Sequence, residues 1–209
     1  MIISVLNLKG GSGKSTVSTN LAIACCLDGK RVILIDTDPQ GTSIRWAGER
    51  PDDKTKLSVI AIPDAKALRK QAKEFIPDYD ILILDGAPQL DLISTTSIAI
   101  SEVVIIPVSP SPYDVWATEN IVQRVKNAQE INTELKAFFL INRDNPRTLL
   151  SQETGDALKE LGLPILQTRL HNRIAYADSA LNGLSVLEWN DSRAKDEINA
   201  FYNELKTLL

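Results

Sequence analysis

The run Lys9-Gly10-Gly11-Ser12-Gly13-Lys14-Ser15-Thr16 constrains this chain more than any other stretch. An apolar strand, Ile2 to Leu6, leads into it, and a segment of helical spacing, Lys14 to Leu27, leads out. Glycines let such a turn curl its backbone N–H groups inward, toward phosphate oxygens. The positive end of the following helix points at the same place. Lys14 brings a full charge to the β- and γ-phosphates, the Ser15 hydroxyl suits Mg²⁺, and Thr16 is placed to reach the α-phosphate. The run reads as a P-loop for ATP and Mg²⁺, with one departure. The usual pattern has glycine five positions before Gly13, and here that position is Leu8.

Strands and helices alternate along the rest. Apolar strands are expected at Arg31 to Ile35, Val59 to Ile62, Ile81 to Leu84, Val103 to Val108 and Leu135 to Ile141. Helices are expected at Gly41 to Gly48, from the Asp64 cap to about Phe75, from an Asp114 cap to about Glu130, and over Leu149 to Leu161, Arg173 to Asn182 and Asp191 to Leu208. Short apolar strands between helices give an α/β fold, a mostly parallel twisted sheet with helices on both faces. No repeat or low-complexity linker interrupts the chain, so residues 1–209 read as a single domain. In such sheets ligands bind beyond the carboxyl ends of the strands. The glycine loop, Asp36, Asp38, Asp85 and Asn142 all follow apolar strands and should gather on one edge.

Several functions are disfavoured. Cys25 and Cys26 are adjacent on the first predicted helix, a poor disulfide geometry without metal-ligand spacing, so both read as buried thiols in a reducing compartment. His171 is the only histidine, which argues against zinc. No apolar run is long enough to span a bilayer, and Met1 to Val5 lacks a signal peptide's basic start. A cytoplasmic protein is expected. At a formal charge of -4, any basic face must be local.

The remaining chemistry lies in carboxylates. Asp85 ends the strand Ile81 to Leu84, the position that holds Mg²⁺ through a water or through Ser15. Asp36 is the candidate for the outer shell of Mg²⁺, and Asp38 for orienting the attacking water. Gly86-Ala87-Pro88 can flex around a γ-phosphate. Pro107 to Asp114, with three prolines, reads as a stiff turn beside a pocket or an interface.

The lysine at position 9, before two glycines, resembles the deviant Walker A box of the ParA/MinD family. Asp36-Thr37-Asp38-Pro39-Gln40 is similar to that family's switch I, and Asp85-Gly86-Ala87 to the switch II of its small ParF-like branch. The resemblance covers nearly the whole chain and is loosest in the C-terminal third. It implies that Lys9 acts in trans on a partner's nucleotide while Lys14 acts in cis, so that Lys9, Lys14 and Asp38 form the catalytic set. It implies slow hydrolysis, an ATP-dependent homodimer, and Asn142 against the base. It also implies non-specific DNA binding, for which Arg147, Arg169, Arg173 and Lys195 are candidates.

The chain starts at its first strand, so site-specific DNA reading is expected to fall to an adaptor that also stimulates the ATPase. The mixed face of the last helix, with Asp196, Glu197 and Glu204 beside Arg193, Lys195 and Lys206, does not resemble a MinD-like membrane tail. The leading expectation is a nucleoid-associated switch for plasmid or chromosome partition. The alternatives are the same engine positioning a carboxysome or chemoreceptor cluster, and a metabolic P-loop kinase or amidoligase. An iron-cluster carrier is disfavoured because the cysteines lie inside a helix.

Overall fold

In the computed structural model, which describes residues 1–89 and 91–209, strands and helices alternate from end to end. The strands are β1 (Ile2–Val5), β2 (Val32–Asp36), β3 (Ser58–Ala61), β4 (Ile81–Asp85), β5 (Val103–Val108), β6 (Lys136–Asp144) and β7 (Leu170–His171). The helices are α1 (Lys14–Leu27), α2 (Thr42–Gly48), α3 (Ala65–Phe75), α4 (Leu92–Ile100), α5 (Pro112–Ile131), α6 (Leu149–Glu160), α7 (Ile174–Leu181) and α8 (Ser192–Leu208), with a 3-10 turn at Val186–Glu188.

All seven strands pair in parallel, in the order β3-β2-β4-β1-β5-β6-β7. The chain steps outward over β2 and β3 and then returns to insert β4 between β2 and β1. That reversal opens a crevice at the carboxyl ends of β1, β2 and β4. Register completes the placement: Asp85 lies opposite both Val5 and Asp36. Neighbouring strands are about 4.8 Å apart. The P-loop and both strand-end aspartates are therefore neighbours, although they are far apart in sequence.

Both sheet faces are covered. Ile3, Val5, Leu34 and Ile83 pack under α1 and α8, against Leu21, Ile198 and Phe201. The opposite face is covered in two parts: α5 and α6 over β5 and β6, and α3 over β2 and β4. Because β1, β2, β4 and β5 are buried on both faces, they read as nearly unbroken apolar runs, whereas the edge strand β3 is exposed or half-buried throughout.

Three elements differ from the sequence expectation. Helix α4 carries no clear sequence signal, because Leu-Ile-Ser-Thr-Thr-Ser-Ile-Ala-Ile is rich in weak helix formers. A capping box starts it, in which Asp91 Oδ1 accepts from the Ser94 N–H and the Asp91 N–H donates to Ser94 Oγ, each at 3.1 Å. Buried Ile93 and Ile98 hold it to the sheet. Helix α5 begins at Pro112, so Asp114 sits in its first turn and does not cap it. The two-residue β7 was too short to register as a strand. Asp64 does cap α3, accepting the Ala67 N–H at 2.7 Å, a contact worth about 1 kcal/mol.

Candidate functional site

The P-loop is held from both sides by asparagines. Asn7 Nδ2 donates to the Pro107 carbonyl at 2.7 Å, and its Oδ1 accepts the Lys9 N–H at 3.0 Å. The proline-rich end of β5 thus braces the start of the loop. From β6, Asn142 Nδ2 donates to the Ser12 carbonyl at 2.7 Å. Gly13 adopts φ +91° directly beneath the Asn142 amide, and an added Cβ would overlap that amide.

Two observations test whether this cradle suits a polyphosphate. Ser12 Oγ is buried with no hydrogen-bond partner among the described residues. Such orphans are rare, and a phosphate oxygen would satisfy this one. Lys14 is 7% exposed, an ammonium with few neighbours to neutralise it. Its Nζ donates to the Lys9 carbonyl at 3.2 Å. Burial lowers its pKa, while the Asp85 and Asp38 carboxylates act in the opposite sense. A buried cation, an unsatisfied hydroxyl and the open start of α1 converge on one point, and together they suit phosphate.

The carboxylates form a connected set behind the loop. Asp85, at the end of β4, is buried and accepts from Ser43 Oγ at 2.7 Å and Ser18 Oγ at 3.3 Å. Burial pushes its pKa up to about 6, against the hydroxyl hydrogen bonds and the Lys14 charge. Asp36 Oδ2 accepts the Ser43 and Ile44 N–H groups at 2.8 and 3.2 Å, and Oδ1 accepts the Asp38 N–H at 3.0 Å. Asp36 therefore caps α2 with Oδ2 and the turn after β2 with Oδ1, and Ser43 links it to the Asp85 carboxylate beside it in register. Asp38 is half-buried and accepts the Gln40 N–H at 2.9 Å. Sequence reasoning missed Ser43, since a serine in the first turn of a helix carries no signal of its own.

Among the described residues, no group of three or more His, Cys, Asp or Glu side chains could hold a metal alone. The donors present instead suit Mg²⁺, which takes one or two protein oxygens and shares substrate phosphates. Ser15 and Asp85 would supply them.

Beyond α1 the loop opens into a cavity of about 180 Å³, lined by Thr16, Asn142, Arg143, Arg173 and Tyr176 among others. Asn142 and Thr16 connect it to the loop. Arg143 carries φ +55°, unusual outside glycine. A larger cleft of about 610 Å³ lies at the amino ends of β2 and β3, away from the loop, and contains none of the expected site residues.

The four basic candidates divide into two pairs. Arg169 is held by Asp144 at 3.4 Å and by Ser151, and Arg173 is paired with Glu197 at 2.5 Å. Arg147 is exposed and Lys195 half-buried, and no ion pair holds either among the described residues. The cysteines are free thiols. Burial pushes Cys25 up to about 12 and Cys26 up to about 11, which leaves both unreactive. No described helix is long and apolar enough to cross a membrane.

A family model described as the CobQ/CobB/MinD/ParA nucleotide binding domain matches residues 3–186. The chain is 32% identical over 206 residues to the maintenance of carboxysome distribution protein A of Halothiobacillus neapolitanus, covering 97% of this chain and 95% of that protein. It is 26% identical to the chromosome-partitioning ATPase Soj of Thermus thermophilus, covering 89% and 87%. In structure it resembles the septum site-determining protein MinD of Pyrococcus horikoshii, solved with Mg-ADP. That match has a TM-score of 0.78 at 20% identity and covers 99% of this chain and 96% of that one.

Proposed function

The chain belongs to the CobQ/CobB/MinD/ParA nucleotide-binding family and is a ParA/MinD-family P-loop ATPase, and from that premise we propose that it works as a dimerising switch. ATP closes two copies around two nucleotides, and hydrolysis releases them. The observation that carries this reading is the division of labour between two lysines in one loop. Lys14 is buried and turned into its own site, whereas Lys9 is exposed, with its backbone pinned by Asn7 and Lys14. A cation held at the mouth of a phosphate site is placed to act on a neighbouring molecule's phosphates.

The surrounding edge supports a partner. Leu92, Tyr113, Trp116 and Leu149 open the helices that follow β4, β5 and β6, and they are 60–75% exposed. Exposed apolar side chains gathered on one edge mark a contact surface. In this reading Lys14 and the P-loop amides bind the phosphates, Asp38 orients water for in-line attack, and Ser15 and Asp85 hold Mg²⁺. Mg²⁺ held there would supply neutralisation of the phosphate charge. Asp36 acts indirectly, by fixing α2 and Ser43.

The switch serves spatial positioning of a cargo. Partition of plasmid or chromosomal DNA through an adaptor is one reading, in keeping with Soj. A protein cargo is the other, and the 32% identity to the carboxysome-distribution protein over almost the whole chain favours it. Either way, an ATP-bound dimer that holds non-specific DNA supplies the track. The test is DNA binding at low salt with ATP and with ADP, alongside co-purification of the adaptor. ATP-dependent binding is expected. Equal binding with both nucleotides, or none with either, ends the switch reading.

A further inference from the structure

Helix α8 buries one stripe against the core, in which Ala194, Ile198, Phe201, Tyr202 and Leu205 fill the inward positions. Glu197 belongs to the same stripe at 9% exposure, where an apolar residue would be the cheaper choice. Its carboxylate is surrounded by donors. Oε1 accepts from His171 Nδ1 and from Arg173 Nε, each at 2.7 Å. Oε2 accepts from the His171 backbone N–H at 3.1 Å and from the Tyr176 hydroxyl at 3.0 Å. Burial alone would raise its pKa, but the Arg173, His171 and Tyr176 hydrogen bonds outweigh it and hold Glu197 below the usual carboxylate range.

Every donor to Glu197 comes from one short stretch, β7 and the start of α7. Beyond these bonds the stretch is anchored by buried Leu170 and Ala175 and by the Asn172 N–H, which donates to the Asp144 carbonyl at 2.9 Å. Strand β7 is two residues long, lies at the sheet edge, and pairs with β6 across a register irregularity between Asn142 and Asp144. Yet His171, Arg173 and Tyr176 form one wall of the 180 Å³ cavity whose other wall is Thr16 and Asn142. Core packing and the short ladder fix the backbone of that wall, and one carboxylate from another helix gathers its three polar side chains.

We propose that Glu197 is a positioning residue for the nucleotide, holding Arg173, Tyr176 and His171 as the outer wall of the base subsite so that α8 sets the grip on the base rather than on the phosphates. This rests on the reading of the cavity as the place of the base.

The test compares ligands with and without a base on the full chain: ADP, GDP and inorganic pyrophosphate, by titration calorimetry below the melting temperature. Pyrophosphate reports the P-loop alone. Glu197→Gln is expected to weaken ADP about 10-fold, the loss of one charge-assisted hydrogen-bond set. It should narrow the ADP-to-GDP ratio and leave pyrophosphate within about 2-fold of wild type. Tyr176→Phe removes one donor while keeping the Glu197–Arg173 pair, and should move ADP the same way by about 3-fold. It carries the test if Glu197→Gln does not fold. A variant that melts earlier but binds all three ligands as wild type does would make Glu197 a staple of the fold and overturn the proposal. A parallel loss of ADP and pyrophosphate would overturn it too. If the wild-type protein binds ADP no better than pyrophosphate, the cavity is not a base subsite, and the underlying reading fails first.

Discussion

The phosphate end and the base end of the site are built by different means. At the phosphate end, consecutive residues do most of the work: the loop from Lys9 to Thr16, and the strand-end aspartates that register places beside it. Its supports are backbone amides and short side chains, such as Asn7, Ser43 and Thr37, whose hydroxyl donates to the Asp85 carbonyl at 2.8 Å. At the proposed base end, the lining comes from α1, β6, β7 and α7, and a carboxylate from α8 behind it holds three of its side chains. Backbone geometry is fixed by local sequence, whereas a side-chain network needs the whole fold in place. The phosphate end should therefore tolerate little change within the loop, and the base end should respond to changes far away in sequence.

Lys14→Ala carries the largest expected effect. It removes the one buried cation beneath the phosphates, and nucleotide affinity should fall by about 100-fold or more, the usual cost of truncating one side of a desolvated charge pair. Fluorescent-nucleotide titration measures it, and affinity near wild type would take Lys14 out of the site. Next comes Asp38→Ala. Loss of the water-orienting carboxylate should cut hydrolysis by about 100-fold while ATP stays bound. Size-exclusion chromatography with ATP should then show a persistent dimer, and hydrolysis at the wild-type rate would break the assignment. Lys9→Ala should keep ATP affinity within about 2-fold, since its ammonium lies outside its own site, yet lose dimer and turnover together. A monomer of that variant hydrolysing ATP normally would leave only a generic P-loop.

How much of this was legible follows the same division. The placement of the loop, Asp38 and Asp85 on one edge is legible because it depends on position relative to a strand, and buried parallel strands announce themselves as apolar runs. Asp36 is legible by position but its contacts are not, because the α2 amides on its Oδ2 come from residues 43 and 44. Helix α4 was hidden by its Ser, Thr and Ile content, and only its capping box and burial explain it. Arg173 illustrates the limit best. In sequence it is one arginine at the start of an expected helix, a candidate for DNA. Its partner lies 24 residues away on another helix, and nothing local marks it. Ser43 carries no local mark either, and Glu197, which the sequence places on the mixed polar face of the last helix, lies instead in its buried stripe.

Ser43→Ala sharpens the comparison at moderate size. Ser43 ties α2 to Asp85, so its loss should raise the Mg²⁺ concentration needed for tight nucleotide binding about 10-fold, as outer-shell partners of metal ligands do. Binding of ADP in EDTA should be unchanged. Equal weakening with and without Mg²⁺ would place the residue in the P-loop's support instead of the metal's.

The smallest effects belong to the basic surface. Arg147 and Lys195 have no ion-pair partner among the described residues, whereas Arg169 and Arg173 are engaged by Asp144 and Glu197. An arginine already paired gives up a contact to reach a DNA phosphate, and an unpaired one does not. If the ATP-bound dimer holds DNA through these residues, Arg147→Ala and Lys195→Ala should each lower the slope of log affinity against log salt by about one. Arg169→Ala should leave that slope unchanged, and Arg173→Ala should act through nucleotide binding, at the base end. The measurement is fluorescence anisotropy of a random duplex over a salt series with saturating ATP. A slope lowered by Arg173→Ala at full nucleotide occupancy would move that residue from the cavity wall to the DNA face, and would erase the distinction between a base end held by side chains and the surface around it.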